Sequence, residues 1–301
     1  MKILRKAMSL IIATAIVGTV TIGLTGCSGG KTIVVGSKDF TENILLGEIF
    51  AQAIEGNTDY KVDRKLNLGG TYVCFEGIKN GDIDIYPEYT GTALTAELKM
   101  DVISDADEAY NTVAKEFDKQ FNIKWLKELG LNNTYTLAVS KEVYEEYGVE
   151  TFSDLVAISE NLVFGAEHEF FNRQDGFEGL VEAYGLTFKG EPNKMNVALK
   201  YEAMGKGDMD VTDAFSTDAA IKKYDLKVLE DDKGFFPPYY AAPIVRNETL
   251  EKFPEIEEIL NKLEGLIDDE AMMNLNYKVD IDGEDVAKTA KDFLKENGII
   301  D

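Results

Sequence analysis

The sequence is poor in the residues that build metal sites and disulfide frameworks. Its 301 residues include only two cysteines, Cys27 and Cys74, and one histidine, His168. One histidine cannot supply the ligands of a usual zinc site, and the segment that starts at His168 lacks the second histidine of the HExxH motif. We therefore predict neither a metal nor a cofactor. Cys74 lies in an apolar run, and we interpret it as a buried hydrophobic residue.

Positive charge is also scarce. Lysine and arginine number 31 against 55 aspartates and glutamates, which gives a net charge of -24 at pH 7. Nucleic-acid binding requires a basic surface, so this balance argues against it. The sequence also lacks a P-loop, a GxSxG nucleophile elbow and a dinucleotide-binding glycine motif. These absences favour a protein that is not an enzyme.

The N-terminus has the pattern of a secretory signal. Basic residues near the start precede a mostly apolar run that ends in the sequence LTGC at Cys27. This pattern predicts a lipoprotein signal peptide over residues 1–26, lipidation of Cys27 and a short linker over residues 27–30. The rest of the chain would then lie on the extracytoplasmic face of the cell membrane, anchored by its lipid. The alternative is an uncleaved transmembrane anchor, since the apolar run is almost long enough to span a bilayer.

One segment of the sequence occurs twice. Residues 75–92 read FEGIKNGDIDIYPEYTGT, and residues 201–217 read YEAMGKGDMDVTDAFST. The two copies align without a gap at a constant offset of 126, since Phe75 falls on Tyr201. The alternative is a chance likeness between two unrelated segments.

Each copy of the repeat predicts the same local structure. A helix ends at a glycine, Gly81 or Gly207, and a short strand follows. The strand brings an aromatic residue, Tyr89 or Phe215, to its carboxyl end, where ligands bind in open α/β sheets. The chain is long enough for two lobes with separate cores, and no low-complexity linker divides it. We therefore expect one repeat unit in each of two α/β lobes that share two crossings.

Other polar residues fall in predicted loops. Lys38 lies in a strand-to-helix loop, just before an Asp39–Glu42 pair with capping-box spacing at the start of the next helix. Arg173 lies in a polar loop that follows another predicted strand. Two adjacent prolines at 237–238 predict an extended segment, which we interpret as the second crossing.

Six motifs, in order along the chain, resemble the substrate-binding lipoproteins of ABC importers for osmoprotectants. They are GSKDFTEN from Gly36, NGDIDIYPEYTGTAL from Asn80, TY from Thr134 after an Asn-Asn turn, FFNRQDG from Phe170, DAFSTDAAIKKYDL from Asp213 and FFPPYYAAP from Phe235. The resemblance covers residues 31–301. Members of that family take up glycine betaine, choline, carnitine and related quaternary amines.

The resemblance implies the α/β type II periplasmic-binding-protein fold, with two lobes joined by two crossings and a ligand cleft between them. It places residues 31–135 and 238–301 in lobe one and residues 136–237 in lobe two. It also implies a monomer that delivers a small quaternary amine to the membrane subunits of an ABC permease.

The same resemblance assigns the ligand-binding residues. The aromatic cage for a quaternary ammonium group would consist of Tyr89, Tyr135, Phe215 and Tyr239. A methylated ammonium has no N–H to donate, so aromatic faces solvate it better than carboxylates do. The residues that hold the ligand's carboxylate would be Lys38, Thr92 and Arg173.

Some positions depart from the family's pattern. Phe215 stands where tyrosine is expected, and Asn43 stands where glutamine is common. Thr92, in place of an acidic residue, favours betaine-type or broad ligands over choline alone. Tyr239 and Tyr240 are adjacent, and the sequence leaves open which ring enters the aromatic cage.

Other functions stay open at this point. The cleft could take another betaine-like molecule such as ergothioneine, which relatives of this fold bind. An enzymatic alternative is a lipoprotein hydrolase that uses Asp82 or Asp208. A third alternative is a structural or adhesive lipoprotein with an inactive cleft.

Overall fold

A computed structural model describes residues 32–173 and 175–301 of the chain. Within these residues, no helix is both long and apolar enough to cross a membrane. The predicted signal peptide, the predicted lipidation of Cys27 and the linker at residues 27–30 lie outside the described residues.

The strands of the described residues form two five-stranded sheets. They are β1 (Thr32–Gly36), β2 (Lys61–Lys65), β3 (Ile85–Tyr89), β4 (Ile123–Trp125), β5 (Tyr135–Val139), β6 (Phe164–Glu167), β7 (Asn193–Met195), β8 (Val211–Phe215), β9 (Lys227–Val228) and β10 (Ala241–Arg246). The first sheet has the order β2-β1-β3-β10-β4, and the second has the order β7-β6-β8-β5-β9.

The helices alternate with these strands along the chain. They are α1 (Thr41–Asn57), α2 (Thr71–Asn80), α3 (Thr90–Thr92), α4 (Ala106–Phe121), α5 (Lys141–Tyr147), α6 (Phe152–Leu155), α7 (Phe177–Tyr184), α8 (Val197–Lys206), α9 (Ala219–Lys223), α10 (Asn247–Lys252), α11 (Glu255–Asn261), α12 (Asp269–Asp280) and α13 (Val286–Glu296). A short π-helix over Ala93–Glu97 continues α3, and two 3-10 turns cover Ser159–Asn161 and Phe170–Asn172.

The two sheets share one pairing scheme. In the first sheet, β1 runs parallel to β2 and β3, and β10 runs antiparallel to β3 and β4. In the second sheet, β6 runs parallel to β7 and β8, and β5 runs antiparallel to β8 and β9. Each sheet therefore has four strands that run in one direction and one antiparallel strand, β10 or β5, that follows a crossing from the other sheet.

The structure confirms the predicted helix–strand repeat. Helix α2 and strand β3 match α8 and β8 residue for residue at the offset of 126. Gly81 and Gly207 end the two helices with φ angles of +81° and +75°. This left-handed conformation favours glycine because a Cβ would be strained there.

The second aspartate of each copy anchors a neighbouring strand. Asp84 accepts a hydrogen bond from the backbone N–H of Val34 at 2.8 Å, and Asp210 accepts one from Val163 at 2.7 Å. The backbone N–H of each aspartate donates in return to the carbonyl of the same partner, at 2.8 and 2.9 Å. These carboxylates therefore hold the strands in register.

The two crossings between the sheets lie side by side. Asn132 and Tyr240 form an antiparallel bridge, and the N–H of Asn133 donates to the carbonyl of Tyr239 at 3.1 Å. The side chain of Asn132 accepts from the N–H of Tyr239 at 2.7 Å. Tyr135, two residues further on, begins β5. The assignment of residues 31–135 and 238–301 to one lobe and 136–237 to the other stays a prediction.

Helix α1 starts differently from the prediction. It packs under α11, α12 and α13, and most of its faces are buried. Its N-cap is Phe40, which makes no side-chain cap, so the predicted capping box of Asp39 and Glu42 is wrong. Glu42 is only 3% exposed, because its carboxylate turns into the protein.

We expect Asp210→Ala to destabilise the protein. The substitution leaves the N–H of Val163 without its acceptor, and such a loss costs about 1–3 kcal/mol at a buried or partly buried site. Urea denaturation would measure the change in the free energy of unfolding. Asp208→Ala is the matched control, because Asp208 is exposed and two residues away. Equal losses in both variants would contradict the anchoring role.

Candidate ligand-binding cleft

Both repeat units and both crossings contribute side chains to one cleft. Its innermost part, which we call the inner cleft, is a cavity of about 50 Å³. All seven side chains assigned to the ligand from sequence line it: Lys38, Tyr89, Thr92, Tyr135, Arg173, Phe215 and Tyr239. The structure thus brings these residues together, and their role in ligand binding stays a prediction.

The aromatic rings converge on Tyr135. Its ring centroid lies 4.5 Å from that of Phe215 and 5.6 Å from that of Tyr239. Phe40 lies 6.1 Å from Phe215, stacked on it, and 6.2 Å from Tyr89. Phe40 therefore connects the rings at the ends of β3 and β8, and it lines the inner cleft with them.

Of the two adjacent tyrosines, Tyr239 lines the inner cleft and Tyr240 is not among the side chains that line it. Gly91 allows this placement. A Cβ at Gly91 would lie 2.7 Å from the Tyr239 ring, closer than side-chain carbons approach. The ring can occupy this position because residue 91 has no side chain.

Lys38 is already paired within the protein. Its ammonium lies 2.5 Å from a Glu88 carboxylate oxygen, and the side chains of both residues are almost fully buried. The same ammonium lies 5.2 Å from the centroid of the Tyr89 ring. Burial is the largest single effect and lowers the pKa of Lys38, but the carboxylates of Glu88, Glu169 and Glu97 together outweigh it and raise the pKa overall. The lysine is therefore charged at neutral pH, and its ammonium has three N–H donors, of which Glu88 accepts one.

Arg173 is also engaged by the protein's own carboxylates. Asp175 accepts from its Nε at 2.9 Å and from its Nη2 at 2.6 Å, in a bidentate pair. Glu169 accepts from Nη1 at 3.3 Å, and Thr95 accepts from Nη2 at 3.2 Å. The guanidinium carbon lies 5.4 Å from the centroid of the Tyr135 ring. The arginine therefore lies against the aromatic cage with most of its donors in use.

The charges of the inner cleft do not balance. The charged side chains that line it are Lys38, Asp39, Glu167, Glu169 and Arg173. The two cations are neutralised by buried carboxylates of their own, as described above. The remaining carboxylates give the cleft a surplus of negative charge, which favours a ligand with a cationic group.

Each tyrosine of the aromatic cage donates its hydroxyl to a carboxylate. Tyr89 donates to Glu42 and Tyr135 donates to Glu167, both at 2.8 Å. Tyr239 donates to Asp175. Phe215 has no hydroxyl, and the ammonium of the buried Lys200 lies 5.4 Å from its ring centroid.

Glu42 accepts hydrogen bonds from more residues than the other two carboxylates do. Besides Tyr89, it accepts from Asn133 at 2.6 Å, Thr217 at 2.5 Å and Asn276 at 3.3 Å. All four donors are neutral. Burial raises the pKa of Glu42 to about 7, although the hydrogen bonds oppose that shift.

A larger cavity of about 700 Å³ adjoins the inner cleft. Phe40, Asn133, Glu167 and Phe215 line both. This outer cavity is rimmed by residues of α8, α9 and α12, and it leaves room for a ligand larger than a methylated ammonium group.

Sequence reasoning assigned no role to Phe40 and Glu167, which line the inner cleft, or to Asp175, which binds Arg173 and Tyr239 behind it. Phe40 and Asp175 stand inside motifs that were recognised, GSKDFTEN and FFNRQDG, beside residues to which a role was assigned. Glu167 ends β6, and its neighbour Glu169 follows two residues later. The signal for Glu167 was its position at the carboxyl end of a predicted strand, the place where ligands bind in such sheets.

Other candidate residues lie away from the inner cleft. Asp82 and Asp208, the carboxylates of the hydrolase alternative, are exposed and line neither the inner cleft nor the outer cavity. Cys74 is fully buried, as expected, and burial raises the pKa of its thiol to about 12. Over residues 32–173 and 175–301, no group of three histidine, cysteine, aspartate or glutamate side chains is placed to hold a metal ion.

The two sheets, the paired crossings and the cleft between them define a type II periplasmic binding protein, which confirms the predicted fold class. A family model for the substrate-binding domain of the ABC-type glycine betaine transport system matches residues 31–296. The chain belongs to this family, as its motifs predicted.

Relatives of known function support this assignment. The chain is 42% identical over 270 residues to an ergothioneine transport permease/ergothioneine binding protein of Helicobacter pylori, over 89% of this chain and 48% of that protein. It therefore spans about half the length of this relative. It is 36% identical over 274 residues to the carnitine transport binding protein of Listeria monocytogenes, over 90% of this chain and 89% of that protein.

A solved structure shows the same fold. It is described as a glycine betaine/carnitine/choline ABC transporter, and it superposes with a TM-score of 0.75 at 36% identity. The match covers 89% of this chain and 100% of that structure.

We expect Lys38→Met to destabilise the protein strongly. The substitution leaves Glu88, which is fully buried, without its cation, and breaking a buried pair costs about 3–5 kcal/mol. Urea denaturation would measure the loss, and adding Glu88→Gln should restore part of it. Lys206→Met changes the charge equally at an exposed pair with Glu202, and it should have little effect. An equally small effect of Lys38→Met would show that the buried pair is not needed for stability.

Proposed function

We propose that this chain is the solute receptor of an ABC importer and that it captures a quaternary-ammonium compatible solute. Glycine betaine, carnitine and choline are the candidate ligands. The methylated ammonium would lie in the aromatic cage of Tyr89, Tyr135, Phe215 and Tyr239. The solute would then be handed to the membrane subunits of a permease.

The observation that carries this proposal is the combination of converging rings and surplus negative charge in the inner cleft. A methylated ammonium is attracted to ring faces, each contributing about 0.5–2 kcal/mol when desolvated. A methylated ammonium cannot donate hydrogen bonds. The carboxylates bonded to the cage tyrosines already receive one hydrogen bond each from a tyrosine hydroxyl. These carboxylates therefore attract the cation without requiring donors from it.

The carboxylate of a betaine would lie near Lys38, Thr92 and Arg173. Lys38 supplies a fixed charge with N–H donors beyond the one that Glu88 accepts. Arg173 supplies the one N–H, on Nη1, that its hydrogen bonds within the protein leave, on a guanidinium that Asp175 holds rigidly in place. A cation held by its own counter-ion binds a ligand's carboxylate more weakly than a free one, so we infer modest rather than extreme affinity for betaines.

Ergothioneine is the second candidate ligand. It combines a betaine group with a polar ring that carries N–H donors. The outer cavity offers space beside the aromatic cage, and Glu167 and Glu169 face that space as acceptors. The relationship to the Helicobacter pylori protein named for ergothioneine also supports this ligand.

The membrane context follows from the same proposal. Cys27 would carry the lipid that anchors the mature chain, as a monomer, to the extracytoplasmic face of the cell membrane. Rotation of the two lobes about the crossings would close the cleft over the solute, and the permease would recognise the closed form. Relatives of the chain are transport binding proteins, so we assign no enzymatic activity.

Calorimetric titration of the purified protein tests the proposal. Glycine betaine, carnitine, choline and ergothioneine would each be titrated at low and high salt, with an ordinary amino acid as the control that lacks a methylated ammonium. We expect about micromolar binding that survives high salt, because contacts inside a closed cleft are poorly screened. A much higher affinity for ergothioneine than for the other ligands would favour the second candidate. If no quaternary amine binds, the proposal is wrong.

Paired substitutions test the choice of ring at the second crossing. Tyr239→Ala removes a ring of the aromatic cage, so we expect the affinity for glycine betaine to fall by roughly 2- to 30-fold. Tyr240→Ala removes the same atoms one residue away, outside the inner cleft, and should leave the affinity unchanged. The same titration measures both, and a larger loss for Tyr240→Ala would reverse the assignment.

A further inference from the structure

The hydroxyl groups of the aromatic cage share one arrangement. Tyr89, Tyr135 and Tyr239 each donate to a carboxylate. Glu42 and Asp175 do not line the inner cleft, whereas Glu167 does. The acceptors come from different parts of the fold: Glu42 from α1, Glu167 from the end of β6, and Asp175 from the loop before α7. No local sequence pattern explains why all three tyrosines donate to a carboxylate.

We propose that Glu42 and Glu167 act as positioning residues that polarise Tyr89 and Tyr135 and so make the cleft select a cationic group over an uncharged group of the same shape. This inference deepens the proposed function and rests on it.

A charge-assisted hydrogen bond explains the polarisation. When a phenol donates to a carboxylate, the O–H bond lengthens and electron density moves toward the ring. The attraction of a cation to an aromatic face depends on the negative potential of that face. The carboxylate adds its own field, which is poorly screened in a buried site. Both effects act on the charge of the ligand and not on its volume.

The three carboxylates differ in how far they are neutralised. Asp175 forms a bidentate ion pair with Arg173, so little of its charge is left for the ligand. Glu42 accepts hydrogen bonds from four neutral groups only. Its negative charge therefore has no directly bonded cation, which makes Glu42 the stronger of the two proposed residues.

The surroundings of Glu167 are mixed. Burial is the largest effect on the pKa of Glu167 and raises it to about 7. Lys200 lowers this pKa, whereas Asp213 and Glu169 raise it. Lys200 is itself paired with Asp213 at 2.9 Å. The charge of Glu167 is therefore only partly offset.

The inference makes binding depend on pH. Burial is the main reason that the pKa of Glu42 is about 7, the hydroxyls and the amide that bond it oppose the shift, and the charge of Asp218 acts in the same direction as burial. Both glutamates therefore carry less charge as the pH falls through neutrality. A quaternary ammonium keeps its charge, so its affinity should fall by about tenfold between pH 8.5 and pH 5.5. Since histidine also titrates in this range, His168→Gln serves as a control and should keep the same pH profile.

The decisive comparison uses two ligands of one shape. Glycine betaine and tert-butylacetate carry the same carboxylate, and a quaternary carbon replaces the nitrogen in the second. We would measure both affinities on the full chain, directly or by competition, for the unsubstituted protein, Glu42→Gln and Glu167→Gln. We expect each variant to lower the ratio of the two affinities by about tenfold, with little loss for tert-butylacetate. Glu76→Gln removes one exposed charge, paired with Lys79, that lines neither the inner cleft nor the outer cavity, and it should leave the ratio unchanged.

A double-substitution cycle separates polarisation from simple loss of charge. Tyr89→Phe should weaken glycine betaine when Glu42 is present and have little further effect in the Glu42→Gln background. The pH profile of the unsubstituted protein supplies a test that needs no variant, in case Glu42→Gln does not fold.

The outcomes are distinct. A lowered ratio and a pH-dependent affinity support the inference. An equal loss of affinity for both ligands would show a merely structural role. If neither the variants nor pH alters the affinity for glycine betaine, the inference is wrong and the proposed function still holds. If the unsubstituted protein does not bind glycine betaine, the primary ligand assignment fails and this inference fails with it.

Discussion

The hydrogen bonds on the Glu42 carboxylate join parts of the chain that are far apart in sequence. The carboxylate lies in the first turn of α1, and its donors come from the end of β3, the first crossing, the segment after β8 and α12. A buried carboxylate without a cation is costly unless its lone pairs are filled. These four hydrogen bonds therefore join elements at the ends of β3 and β8, where the cleft lies, and a rotation that separates those ends has to break some of them.

The same helix–strand unit occurs once in each of the two sheets. Each copy ends a helix at a left-handed glycine and anchors a neighbouring strand through an aspartate, and each presents an aromatic ring at the carboxyl end of its strand. The copies differ at that ring. Tyr89 donates its hydroxyl to Glu42, whereas Phe215 has no hydroxyl. A paired lysine ammonium lies near each ring, that of Lys38 near Tyr89 and that of Lys200 near Phe215. The two walls of the cleft therefore share a backbone plan and differ in the carboxylate that holds the ring.

Much of the fold was predictable because it depends on patterns that are local in sequence. The repeat, its glycine ends and its strands were visible as spacing, and the cleft residues followed from motifs in a known order. The charge partners were not predictable in this way. Glu42 has the spacing of a capping residue, and only the packing of α12 and the first crossing around it shows that it turns inward. Arg173 was assigned to the ligand, but Asp175, two residues away, accepts hydrogen bonds from its guanidinium. Sequence spacing alone does not show that these two side chains face each other.

The pairing of the two crossings has a mechanical consequence. Asn132 and Asn133 are hydrogen-bonded to Tyr239 and Tyr240, so the crossings form a single strap and not two independent tethers. Any rotation of one sheet relative to the other about this strap displaces atoms in proportion to their distance from it. Tyr135 lies directly opposite Phe215 in its sheet, and Ala241, two residues beyond Tyr239, lies directly opposite Tyr89. Such a rotation would therefore keep the ring spacing within each sheet and change the spacing between the sheets, so the ring wall divides into two rigid halves that hinge at the strap.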